Sequence, residues 1–131
     1  MTLTAPPGNQ TAKYSGVRNF IGGRFTAEGY RLLDVLNPSD GSLLAQVPLS
    51  SPAEVDAAVR SGSAAFPGWS STPIKERVQV FYRYRALLED HLAELAELIS
   101  EEHGKIRSEA EAEVHKAIEL TEFACSLPQI V

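Results

Sequence analysis

Cysteine is almost absent from this chain: Cys125 is the one thiol in 131 residues. A single thiol excludes an internal disulfide and the cross-linked scaffolds that small secreted domains use, and it fits a reducing compartment, so a cytoplasmic location is expected. Positive charge is also in short supply, with Lys plus Arg at 12 against 17 for Asp plus Glu and a formal net charge of -5. Gripping a nucleic-acid backbone needs a positive stripe, so no nucleic-acid partner is expected. Long apolar runs are missing, and none approaches the roughly 20 residues of a membrane span. The opening residues Met1 to Gly16 lack the apolar segment of a secretory leader. No membrane partner is expected.

The signatures of several chemistries are missing too. Neither GxGxxG nor GxxxxGK occurs, and neither does HExxH. His91, His103 and His115 are spaced twelve apart. On one helix, twelve steps of about 100° leave them roughly 120° apart in direction, and Gly104 interrupts the helix in any case. With no cysteine partner near them, no metal site is expected.

What is present is the composition of a globular domain, 44% hydrophobic and 22% charged. Residues 1–17 are polar and rich in Pro, Gly and Thr, which predicts a flexible tail. Two hairpins follow. In the first, Gly22-Gly23 separates two short apolar stretches; both residues of that turn need positive φ, which glycine supplies. In the second, Leu32–Leu36 and Leu43–Val47 flank Asn37-Pro38-Ser39-Asp40-Gly41, where Pro38 fixes φ and Asp-Gly supplies the reversal.

From Ser51 the pattern is helical. Ser51-Pro52-Ala53-Glu54 reads as a capping box opening a helix that buries Val55, Ala58, Val59, Gly62 and Phe66 and ends at Pro67-Gly68. Trp69 is then a packing plug at a helix junction. Ile74, Val78, Phe81, Leu88, Leu92, Leu95 and Ile99 fall on one helical face. Thr72-Pro73 is the expected start of that helix, Asp90-His91 the expected break into two, and Gly104 the stop. Ser108-Glu109-Ala110-Glu111 reads as a second capping box. The last helix carries Ala110, Val114, Ala117, Ile118, Thr121 and Ala124 or Cys125 on one side. The expected segment is thus α+β, two N-terminal β-hairpins followed by three to four α-helices.

The acidic pairs Glu101-Glu102 and Glu109-Glu111-Glu113 are read as solvated helix surface. Residues i and i+2 do not share a face, so paired acid/base work has no geometric basis. Lys105 follows a helix end where a cation is favourable, a structural role.

Trp69, then Pro73, Lys75, Glu76 and Arg77, then a leucine-rich helix closing in Glu102-His103-Gly104-Lys105, resembles the N-terminal part of the aldehyde dehydrogenase superfamily. The stretch Phe20-Ile21-Gly22-Gly23-Arg24-Phe25 and the later Asn37-Pro38 turn occur there in the same order. The segment around Glu122-Phe123-Ala124-Cys125 is similar to the branch of methylmalonate-semialdehyde dehydrogenases that acylate coenzyme A, although His115-Lys116-Ala117 departs from its pattern.

The resemblance implies an α/β parent enzyme. In such an enzyme residues 18–131 would be strands and a helical layer of the NAD-binding domain, incomplete without the remainder of the chain. It implies NAD, with coenzyme A as co-substrate, and a homo-oligomer. It also implies a cysteine nucleophile that forms a thiohemiacetal with the aldehyde. That nucleophile lies in a later, glycine-bearing loop of the family, whereas Cys125 sits between Ala124 and Ser126 in an apolar helix and is expected to be structural. The family's Pro-Trp-Asn segment and Gly-x-Thr-x-x-Gly loop are absent.

No catalytic, cofactor-binding or metal residue is therefore expected within these residues. The chain is expected to be scaffold, inactive alone. The competing readings are a stand-alone helical module that binds a partner and an inactive truncated remnant.

Overall fold

The computed structural model describes residues 11–26 and 31–130. Strands β1 (Phe20–Ile21) and β2 (Arg24–Phe25) pair antiparallel across Gly22 and Gly23, whose φ values of 61° and 79° are the left-handed turn geometry expected of them. The rings of Phe20 and Phe25 meet edge to face with centroids 5.1 Å apart.

Strands β3 (Arg31–Leu36) and β4 (Leu43–Leu49) form the second hairpin, with a register shift at Val35/Leu36. Its turn is held by side chains: Asn37 Oδ1 accepts from the Ser39 N–H and Asp40 Oδ1 from the Ser42 N–H, each at 2.9 Å. The tail expected over 1–17 falls outside the described residues as far as residue 10. Further on, the N–H groups of Lys13, Tyr14 and Val17 donate to the carbonyls of Leu43, Leu44 and Gln46 on β4. Leu44, Ala45 and Pro48 of β4 are buried, whereas Leu32, Leu33 and Leu36 of β3 are exposed.

Helix α1 spans Pro52–Ser71. Glu54 Oε2 accepts from both the N–H and the hydroxyl of Ser51 at 2.8 and 2.9 Å, so the glutamate reaches back as a capping box requires. Two expectations fail here. The helix does not stop at Pro67-Gly68 but continues one more turn. Pro67 removes one ladder donor, and the hydroxyls of Ser70, Ser71 and Thr72 satisfy the carbonyls of Pro67 and Gly68 at 2.9 to 3.1 Å. The face of Val55, Ala58, Val59, Gly62 and Phe66 is not buried either, because no described residue of α1 is.

Helix α2 spans Ile74–Asp90. Thr72 does not cap it, since its hydroxyl is spent on Gly68; Pro73 takes the capping position and its carbonyl receives the Glu76 and Arg77 N–H groups. The break at Asp90-His91 is as read, with α3 running Leu92–His103. Gly104 ends α3 at φ 69° and donates to Ser100 at 2.9 Å. Helix α4 spans Arg107–Ser126 and is followed by a 3₁₀ turn over Leu127–Gln129. The second capping box does not form. Ile106 holds the capping position, Ser108 lies inside the first turn, and Arg107 is fixed by the Ala93 carbonyl and Glu111 at 2.9 and 2.8 Å.

Helix α4 packs against both α2 and α3. The core between them is Leu88, Ala96, Ala110, Val114 and Ile118, rimmed by Leu92, Leu95, Ile99 and Ala117. Ala96 and Ala110 are fully buried, so small residues set how closely α3 and α4 approach. Gly104 joins this layer to the second hairpin: a Cβ there would stand 3.1 Å from Pro38 Cγ on a backbone that L-residues resist. Gly104→Ala is expected to cost about 1–2 kcal/mol or more in a denaturant melt, and an unchanged midpoint would contradict this.

Candidate functional site

Cys125 lies on the inward face of α4 with Ile118 and Thr121, 7% exposed, on the same side that its spacing indicates. It edges a cleft of about 270 Å³ shared with Tyr82, Arg85, Glu122, Ser126 and Gln129. A reactive thiol needs an uncommitted cation or a base to hold its thiolate. Arg85 is committed elsewhere, paired with Glu122 at 2.6 Å and Glu89 at 2.7 Å, and the Glu122 hydrogen bond raises its pKa further. The cation that shares the cleft with the thiol is therefore already paired.

The histidines fall on separate elements. His91 joins α2 to α3 with its Nδ1 at 2.9 Å from Glu94 Oε2, His103 closes α3, and His115 is exposed on α4. Among the described residues, no group of three or more His, Cys, Asp or Glu side chains comes together as a metal would need. Glu111 pairs with Arg107 and Glu113 with Lys105, the latter contact holding Glu113 below the usual carboxylate range.

Glu101 is not the solvated surface group that its sequence position suggests. Its carboxylate receives Lys13 Nζ on one oxygen and the Tyr14 hydroxyl on the other at 2.7 Å. The Lys13 hydrogen bond, then that of Tyr14, holds Glu101 below the usual carboxylate range. Glu101 in turn raises both Lys13 and Tyr14. These three residues pin the segment beside β4 onto α3. Helical spacing within α3 carries no sign of this, because the partners are 87 and 88 residues away in the chain.

The pH dependence has a definite sign. A depressed carboxylate contributes stability above its ordinary value of about 4.3, and loses it as pH falls through the lowered one. Raised Lys13 and Tyr14 contribute below about 10, and lose it as pH rises through their raised values. Amide protection at Lys13, Tyr14 and Val17 is thus expected to be flat near neutrality and to fall at both extremes. Glu101→Gln should speed exchange of those three amides at neutral pH by about tenfold, the equivalent of one charge-assisted hydrogen bond. Exchange as slow as in the parent would contradict this assignment.

Among the described residues, the glycines at positive φ, the natural places for backbone to cradle a phosphate, are Gly22, Gly23, Gly41 and Gly104, in turns or at a helix end. No helix among the described residues is long and apolar enough to cross a membrane.

Residues 25–130 match the model of the aldehyde dehydrogenase family. The malonate-semialdehyde dehydrogenase of Pseudomonas aeruginosa is 41% identical over 115 residues, 88% of this chain and 23% of that protein. The crystal structure of the methylmalonate-semialdehyde dehydrogenase of Oceanimonas doudoroffii superposes with a TM-score of 0.83 at 37% identity, over 88% of this chain and 24% of that one. The NAD-dependent benzaldehyde dehydrogenase of Corynebacterium glutamicum gives 0.81 at 34% identity, over 86% and 25%. The chain thus spans about a quarter of the length of the relatives it matches, and it matches enzymes of unlike substrates almost equally well.

Proposed function

The chain belongs to the aldehyde dehydrogenase family, and from that premise we propose that it is the N-terminal quarter of a cytoplasmic, NAD-dependent, homo-oligomeric enzyme of the methylmalonate-semialdehyde type. That enzyme oxidises an aldehyde through a cysteine outside these residues and passes the acyl group to coenzyme A. The described residues form part of its NAD-binding domain, as opening strands and a helical layer, and hold no catalytic, cofactor or metal contact.

One observation carries the reading. The match runs through 88% of this chain yet takes in only 23% of the Pseudomonas relative, and the one thiol within it is buried beside an arginine already paired. NAD, when bound in such an enzyme, accepts the hydride. In this reading the part of the described residues is to support the walls of the domain. The preference for the coenzyme A branch rests on the likeness around Glu122 to Cys125.

The test is a chimera in which this chain replaces the matching quarter of the Pseudomonas enzyme, assayed for NAD reduction with malonate semialdehyde and coenzyme A. The chimera is expected to be active, the chain alone inactive, and Cys125→Ala in the chimera within about twofold of its parent. Activity of the chain alone, or its loss on Cys125→Ala with folding intact, would overturn the scaffold assignment. An insoluble chimera would instead favour the stand-alone module, which the exposed face of α1 would suit.

A further inference from the structure

The pair Asp-Gly occurs once in the chain, at Asp40-Gly41 in the turn between β3 and β4. Such a pair can rearrange without an enzyme. The glycine amide nitrogen attacks the aspartate side-chain carbon, water leaves, and a five-membered succinimide closes. Water then opens the ring at either carbonyl. One opening gives back aspartate, and the other leaves an isoaspartyl residue whose main chain is one methylene longer. Glycine favours the closure because it has no Cβ to hinder the approach. The reaction needs an unbonded amide at Gly41, a carboxyl free to turn toward it, and a proton on that carboxyl so that water can depart.

The turn withholds each of these. The Gly41 N–H donates to the Asn37 carbonyl at 2.8 Å. Asp40 Oδ1 receives the Ser42 hydroxyl at 2.7 Å and the Ser42 N–H at 2.9 Å, which fixes the carboxyl in place. The hydroxyl bond, and then that of the N–H, holds this carboxyl below the usual carboxylate range, so little of the protonated form is present near neutrality. The restraint is nevertheless reversible. Pro38 to Gly41 are exposed, and hydrogen bonds in an exposed turn open locally at little cost.

We propose that Asp40-Gly41 is a modification site, at which an isoaspartyl residue forms by succinimide closure whenever the turn opens, at a rate set by the hydrogen bonds to Asn37 and Ser42. The site is independent of the enzyme reading above. Its consequence is structural. The ring of Pro38, in the same turn, lies beside Gly104 at the end of α3. The added methylene lengthens this turn, so isomerisation loosens the seat of the second hairpin on the helical layer.

The test ages the full chain beside a synthetic peptide of residues 37–43 in mildly acidic buffer. Electron-transfer fragmentation, which separates the two isomers, reads isoaspartate at position 40. Both are expected to form it, the folded chain at least about tenfold more slowly, and the chain unfolded in guanidinium at the rate of the peptide. Ser42→Ala should speed the folded chain about fivefold and leave the unfolded rate within about twofold. Ser39→Ala, whose hydroxyl takes no part in these bonds, should leave both rates within about twofold. Should Ser42→Ala lose its helical signal, the ratio of folded to unfolded rates in the parent decides the matter alone. Equal rates in the folded and unfolded parent, isoaspartate in neither, or a folded Ser42→Ala chain no faster than its parent would overturn the site.

Discussion

Replacing both Val59 and Phe66 by glutamate is expected to convert the chain from a self-associating species into a monomer. These residues, with Val55, line one face of α1 at 57% to 66% exposure, and the helix buries none of its residues. Each such side chain gains about 1.5–3 kcal/mol when taken fully out of water, so a contiguous face of them gives two chains reason to meet. Glutamate at both positions removes that gain and adds repulsion, while the capping pair of Ser51 and Glu54 at the helix start is untouched. Sedimentation velocity and dye binding at rising concentration read the outcome. A parent chain that stays monomeric and binds no dye would contradict it, and so would a double variant that associates as strongly.

Ile118→Ala is expected to remove cooperative unfolding of the helical layer. Ile118 sits in the small core with Leu88, Ala96, Ala110 and Val114. Truncating a buried isoleucine costs about 2–5 kcal/mol, because the cavity that it leaves collapses only in part. A layer with so few buried side chains has about that much stability in total. Val80→Ala, at an exposed site of α2, should stay within about 0.5 kcal/mol. Helical signal followed against urea separates the two, and an Ile118→Ala melt that matches the parent would show that the core lies elsewhere.

The parts of the fold that follow from local chemistry could be read in advance. Gly22 and Gly23 adopt positive φ in a two-residue hairpin turn, Gly104 ends α3 in the left-handed conformation, and α4 turns its Ala110-Val114-Ile118 side inward. In each case a residue type satisfies a backbone or packing demand made by its immediate neighbours.

The misreadings arose where a group was used for something other than its usual role. Pro67-Gly68 looks like a helix end, but hydroxyls at Ser70, Ser71 and Thr72 carry α1 past it. Using Thr72 in that way also moves the cap of α2 to Pro73. Ser108 has the spacing of a capping box, yet Arg107 is anchored on Ala93, and that sets the start of α4 at Ile106 instead. The apolar face of α1 matches a buried helix in its pattern, and periodicity says which residues share a face but not whether this chain supplies anything to cover it.

The candidate site was legible to the same degree. Spacing put Ala124 or Cys125 on the inner side of α4, and packing buries Cys125. The tie of Glu101 to Lys13 and Tyr14 arises from long-range packing that no local pattern encodes.

Reading the coding frame beyond the codon for Val131 tests most directly whether the chain is the scaffold quarter of a larger dehydrogenase. The expected result is an open frame that continues into a glycine-bearing cofactor loop and, further on, a segment with a second cysteine. A stop codon with neither segment downstream would contradict the account and leave the exposed face of α1 in search of a different partner.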